Sequence, residues 1–339
     1  MNHSDWMLYG AYGTTGRLIL EEALRRGHRP LIAGRDASRL AALASETGLQ
    51  ALALELAAAQ PLPGVSAVLN AAGPYHLTGR PLRRRCLDAG ASYLDVNGEI
   101  QDLVAALDCD AEARKRGIAI IPGAGFGVVY GEAVAAHVAR RLSDASWLTL
   151  SVADANAMSS SGAARSTAAV LAGGGYAVEG GALRERPIAF RTWRVGDRGF
   201  AAAPRPELVA ALRLTGIPEI VAGVPLPLPA ALVMRFAGKL VGRMLLRTSA
   251  RQRPGKAPRK VAGTDLRSRI WAEAGNNSGK RVASLLETGE GYRMAANAAV
   301  HAMERVLAQR PTGALTPAQA FGAEFAVSLP GTTIVDLQV

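Results

Sequence analysis

Gly10, Gly13 and Gly16 stand between an apolar tetrapeptide, Trp6–Tyr9, and an amphipathic run that ends at Gly27. That spacing suits the binding of a pyrophosphate. The first glycine permits a sharp strand-to-helix turn, the second lets backbone N–H groups approach the phosphates, and the third lets the helix pack on the strand. The N-terminus of the following helix adds unpaired donors and a partial positive charge. Gly10, Tyr12, Gly13, Thr14, Thr15, Gly16 and Arg17 are therefore candidate dinucleotide-binding residues. A second apolar run, Arg29–Ala33, closes on Gly34-Arg35-Asp36. An acidic side chain at this place binds a ribose 2′-hydroxyl, whereas an arginine suits a 2′-phosphate. Gly34 and Arg35 thus predict NADP(H), with Asp36 as the N-cap of a helix over 38–47.

Hydride chemistry needs further groups at the same sheet edge. The loop Asn70-Ala71-Ala72-Gly73-Pro74 follows a fourth apolar run, and its small residues would admit a cofactor. Tyr75 and His76 come next, and Asn97 and Glu99 follow a fifth run, Ser92–Val96. Other chemistries fail on residue type. A Tyr–Lys pair four apart is missing, since the residues four after the seven tyrosines are Gly13, Gly16, Gly79, Asn97, Val134, Gly180 and Ala296. The five histidines are scattered singly, neither Cys86 nor Cys109 belongs to a Cys-x-x-Cys pair, and G-x-S-x-G does not occur. A metal-free oxidoreductase is the expectation.

The elements that would hold these residues alternate strand and helix with short connections up to Ile121, which predicts an α/β chain with a Rossmann-like, doubly wound parallel sheet. Helices are expected over 80–89 and 102–116, and a third strand over 49–56. Beyond residue 145 the pattern changes to antiparallel strands over 147–152, 188–193, 266–273 and 281–287, the composition of an α+β substrate domain. A helix over 291–309 and a final strand over 332–339 follow. Domain limits are expected at 1–143, 144–289 and 290–339, the last segment returning to the first domain. Two cysteines and an N-terminus without a basic, then apolar, leader predict a cytoplasmic protein.

The net charge of +11 is local: between Ile220 and Thr264 there are nine Lys or Arg and no Asp or Glu. Arg235, Lys239, Arg243, Arg247 and Arg251 recur every four residues. Leu232, Val233, Phe236, Leu240, Met244 and Leu245 fall mainly on another face of the same helix. Such a helix suits an anionic membrane surface, at the inner face of the membrane, or an acidic protein partner, or simply a solvated face. Nucleic-acid binding is not supported, since the rest of the chain is nearly balanced.

The segments 10–17, 33–36, 70–75, 86–99 and 122–126 together resemble the saccharopine dehydrogenase-like oxidoreductases, most of all the branch with trans-acting enoyl reductases. The resemblance covers about the first 140 residues well, 289–322 more loosely, and the middle not at all. Where members often carry an aspartate after the third strand, Leu54-Glu55-Leu56 stands here. The resemblance implies NADP-dependent reduction of a carbon–carbon double bond in a carrier-bound thioester. That reaction needs stabilisation of an enolate oxygen and a proton for the α-carbon. Tyr75 is the expected donor, with Asn97 and Glu99 on the same edge. Arg165 is a further candidate anion grip. Two alternatives stand beside this: an opine-type amine dehydrogenase reducing an imine, which should show a dense cluster of charged residues for an amino-acid head group, and a non-catalytic NADP-binding protein attached to a membrane.

Overall fold

Four consecutive apolar residues with no polar alternation make a strand buried on both faces, and Trp6–Tyr9 forms such a strand, β1. In the computed structural model, residues 5–58, 60–154, 167–168, 170–249 and 266–339 are described. They divide into two units, residues 1–97, 101–126 and 292–321 in the first and 98–100, 127–291 and 322–339 in the second.

In the first unit β1 is followed by α1 (Thr14–Arg25), β2 (Leu31–Gly34), α2 (Ala37–Thr47), β3 (Ala51–Ala53) and β4 (Ala67–Asn70). Then come α3 (Tyr75–Ala89), β5 (Ser92–Asp95), α4 (Ile100–Leu107), α5 (Asp110–Arg116) and β6 (Ala119–Ile121). All the ladders are parallel, in the order β6-β5-β4-β1-β2-β3. The order reverses direction at β1 and β4, so the carboxyl ends of these two strands border the crevice where such sheets bind ligands. Met7, Tyr9, Val68, Leu82, Cys86, Tyr93 and Ile120 form one core beneath it.

Several boundaries differ from the sequence expectation. Helix α3 starts at Tyr75 rather than residue 80 and runs through Pro81. The expected helix over 102–116 is two, because Cys109 leaves helical geometry and Asp110 starts again, its carboxylate accepting from Ala314 N at 2.8 Å. Ala314 belongs to an edge strand, β15 (Gly313–Ala314), that the sequence did not suggest.

The second unit is built on a mixed sheet. Helix α6 (Phe126–Arg141) leads to β7 (Trp147–Ala153), β8 (Gly175–Glu179), β9 (Ala182–Arg186), β10 (Thr192–Val195) and β11 (Arg198–Ala202). Helix α7 (Glu207–Thr215), β12 (Glu219–Pro225), α8 (Leu228–Ser249), β13 (Ser268–Gly275) and β14 (Arg281–Thr288) follow. The chain then returns to the first unit in α9 (Gly291–Gln309), β15 (Gly313–Ala314, parallel to β6) and α10 (Pro317–Phe321). It closes on β16 (Thr333–Leu337), antiparallel to β14. Main-path order is β10-β11-β12-β7-β13-β14-β16, with β7 and β12 parallel and the other pairs antiparallel. The expected strand over 188–193 is interrupted because Ala189 takes a left-handed conformation at φ 54°, and pairing begins only at Thr192. Phe200 anchors this sheet, stacked on Trp193 at 6.2 Å and edge-on to Trp271 at 5.8 Å. The first unit gives way to the second after Phe126, earlier than residue 143, and the tail 322–339 belongs to the second unit.

Candidate dinucleotide site and its polar support

The glycine turn has the geometry its spacing predicts. Gly10 sits at φ +85°, a conformation other residues rarely adopt, and a Cβ at Gly16 would fall 2.1 Å from the Gly10 carbonyl oxygen. Gly13 is the N-cap of α1 and offers no side chain, and the first turn carries no acid. The positive end of that helix is thus left for an anion. Thr14 and Thr15 are half-buried in the same turn. Arg17 points elsewhere, pairing with exposed Glu46 at 3.2 Å. A Cβ at Gly10 would lie 2.8 Å from Ala72 Cβ, so the loop after β4 rests directly against the glycine turn.

At the end of β2 the two charged residues have separate fates. The Asp36 carboxylate caps α2, accepting from Arg39 N at 3.1 Å and from Ser38 Oγ at 2.7 Å. These donors, Arg39 N–H first, hold its carboxyl below the usual range. Arg35 is exposed. Arg39, which the sequence reading passed over, lies with its guanidinium 4.5 Å above the Tyr12 ring and donates to Tyr12 O at 3.0 Å. Gly34 makes room for that ring, since a Cβ there would lie 2.6 Å from Tyr12 Cε1. The edge of β2 therefore carries Tyr12 with the Arg39 guanidinium over its ring, next to exposed Arg35. The only signal for Arg39 was its place one turn after Arg35.

Beneath the loops after β4, β5 and β6 lies a buried polar network. Asn70 spends its amide on the loop itself, with Oδ1 accepting from Ala72 N at 3.0 Å and Nδ2 donating to Tyr93 Oη at 3.1 Å. Tyr93 donates to Asp95 Oδ2 at 2.8 Å, and Asp95 Oδ1 accepts from Asn97 N at 3.0 Å and Gly123 N at 2.7 Å. Burial, and next the Asp102 carboxylate, push Asp95 up to about 6, with the Gly123 and Tyr93 donors opposing. Asp102 receives both Nη groups of buried Arg83 at 2.8 and 2.9 Å, together with Asn97 Nδ2 at 2.8 Å. Gly79 makes space for this pair, as its Cβ would lie 2.4 Å from Asp102 Oδ2. Asn97 is thus bonded into the brace, and Asn70 shapes the loop from below. Tyr75 is buried at the first position of α3, Glu99 is buried just before α4, and His76 is exposed. Arg165 and Arg251 lie outside the described residues.

The second unit holds its own charged cluster. Arg205 donates through Nε and Nη2 to fully buried Glu207, whose carboxylate lies in a groove left by Gly127 and Gly131, one turn apart on α6. Burial opposes the Arg205 charge, and the Glu207 and Asp154 carboxylates more than offset it. Asp154 accepts from Ser268 Oγ at 3.2 Å, close to the start of α9, where Gly291 leaves space for it. In sequence these charges are scattered, and only the pairing of β7 with β13 and β12 gathers them.

Residues 6–121 match the family model described as the saccharopine dehydrogenase NADP binding domain. That match covers about a third of the chain. The chain is 34% identical over 134 residues to a trans-acting enoyl reductase of Mycobacterium tuberculosis, covering 36% of this chain and 32% of the relative. It is 29% identical over 157 residues to the human saccharopine dehydrogenase-like oxidoreductase, covering 37% and 36%. The matches thus span about a third of the length of these relatives. Apo saccharopine dehydrogenase (L-Glu forming) from Saccharomyces cerevisiae has the same fold over 99% of this chain and 100% of its own, with a TM-score of 0.61 at 11% identity. A nicotinamide dinucleotide is the cofactor this domain family binds, and the open turn before α1 has the shape and polarity for its pyrophosphate.

Proposed function

We propose that this protein is an NADP-dependent oxidoreductase that reduces a conjugated carbon–carbon double bond, of the enoyl thioester kind, by hydride transfer. The division of labour at the end of β2 carries the cofactor part: Asp36 is consumed as a helix cap, and Arg35 and Arg39 remain to meet a 2′-phosphate. The enoyl reading is supported by the likeness to the mycobacterial enoyl reductase over about a third of the chain. When bound, the nicotinamide supplies the hydride. The glycine turn and the first turn of α1 would hold the pyrophosphate, and Tyr12 with Arg39 would flank the adenosine end. Tyr75, at the mouth of the β4 loop, would donate to the oxygen on which negative charge develops.

A second reading is favoured by one observation, the cluster of Arg205, Glu207, Asp154 and Ser268 in the second unit. A charged group of this density suits the head group of an amino acid, and it would serve reduction of an imine. NADPH consumption should be followed against enoyl thioesters and against amino acid–keto acid pairs. Turnover of thioesters alone, with Tyr75→Phe lowering kcat about a hundredfold and leaving cofactor affinity unchanged, is the expected result. Turnover of the amino acid pairs alone, abolished in Arg205→Met, would replace the first reading by the second. An unaltered kcat in Tyr75→Phe would remove that hydroxyl from the mechanism.

A further inference from the structure

Helix α8 packs with its small residues inward. Ala231, Gly238 and Gly242 form its buried side. A Cβ at Gly238 would lie 2.9 Å from Ile188 Cδ1, and one at Gly242 would lie 2.3 Å from Ala172 N. The large apolar side chains face out: Phe236 is 85% exposed, Leu228 and Leu240 are each 61% and Leu232 is 53%. Spaced four apart, these residues make one ridge roughly 18 Å long. Beside it runs a second row, Arg235, Lys239, Arg243 and Arg247, all exposed, each three residues after an apolar one. Among the described residues, Lys239 of this row pairs with Glu185 at 3.9 Å. In sequence, Arg251, Arg253, Lys256, Arg259 and Lys260 follow, with no acid before Asp265. Among the described residues no helix is long and apolar enough to cross a membrane.

We infer that this face of α8 binds the surface of an anionic lipid bilayer, the helix lying in the interface plane. Solubility alone does not explain a helix that buries glycine and exposes phenylalanine, since the reverse arrangement would bury more apolar area. Acyl chains close around any apolar shape, a protruding ridge included. The adjoining basic row stands at the height of lipid headgroups and gains from their charge. A second copy of the chain on this face would bring two acid-free basic rows together, which electrostatics disfavours. The inference is independent of which bond the protein reduces.

The test uses the full chain with vesicles of phosphatidylcholine alone and of phosphatidylcholine doped with phosphatidylglycerol. Co-sedimentation with the doped vesicles at low ionic strength, weakened by molar salt, is expected. Arg243→Glu with Arg247→Glu should weaken it about 25-fold or more, at roughly fivefold per charge lost. Phe236→Ser with Leu240→Ser should weaken it about tenfold or more, because apolar burial is lost. All four substitutions lie on exposed positions, and unchanged circular dichroism and cofactor binding would show the variants folded. Absence of wild-type binding overturns the inference. So does binding that ignores Phe236 and Leu240, which would mark a purely electrostatic surface for an acidic protein. A Phe236→Ser variant that turned a dimer into a monomer would assign the face to a second copy instead.

Discussion

Arg35 and Arg39 are the residues on which cofactor choice should turn. Each charge-assisted contact to a 2′-phosphate is worth about 1.5–3 kcal/mol. Arg35→Ala and Arg39→Ala should each weaken NADPH about 10- to 100-fold and leave NADH nearly unchanged, as read by fluorescence titration. Arg39→Ala should also loosen Tyr12, whose ring it covers. Equal affinities for the two cofactors in the wild type would reject the assignment. The helix-cap role of Asp36 was legible in the sequence because it has a local signature. Arg39 was not, since its contact with Tyr12 depends on a turn far away in the chain.

The elements α3 and α4 are tied together by the Arg83–Asp102 pair, and the Arg83 guanidinium also lies 5.7 Å from the centre of the Tyr93 ring on β5. Arg83→Met leaves the Asp102 carboxylate buried without its cation, a loss of about 3–5 kcal/mol that urea unfolding would measure. Asp95 titrates in a useful window. Its carboxyl holds the proton better in the folded chain than in the unfolded one, so its contribution to stability is full below the ordinary aspartate range and is lost as pH rises through about 6. Asp95→Asn, which cannot ionise, should flatten the stability–pH curve between about pH 4 and 6. An unchanged slope would mean that Asp95 does not carry it. Sequence periodicity placed β1, β4, β5 and the helix over 291–309, because each is long or strongly apolar for its type. It placed the start of α3 at residue 80, just after Gly79, whereas the helix begins at Tyr75. Gly79 is there for packing against Asp102, a reason that only the folded chain reveals. The same holds for the site: the glycine turn is local and was legible, while the brace and the Arg205 cluster depend on strand pairing and were not.

On the scale of the whole molecule the first unit is discontinuous. The family-matched segment ends at residue 121, yet β15 pairs with β6, and Glu304 on α9 receives Arg26 at its Oε2 and His28 at 2.9 Å. A fragment limited to residues 5–126 leaves the β6 edge open and should aggregate or melt well below the full chain. Co-expression of residues 291–321 should restore solubility and nucleotide binding, as gel filtration and calorimetry would show. A well-behaved short fragment would make β15 an accessory.

The late origin of β15 also bears on how the chain is made. Strands β1 to β6 leave the ribosome before the second unit, and the segment that closes their edge follows nearly two hundred residues later. At ordinary elongation rates that interval is roughly 10–40 s. Throughout it the nascent first unit carries an unpaired parallel edge, the state most exposed to wrong pairing and to chaperone capture. Completion of the nucleotide fold is thus timed by translation of the second unit, and codon choice between residues 127 and 312 should alter the yield of soluble protein without changing one amino acid.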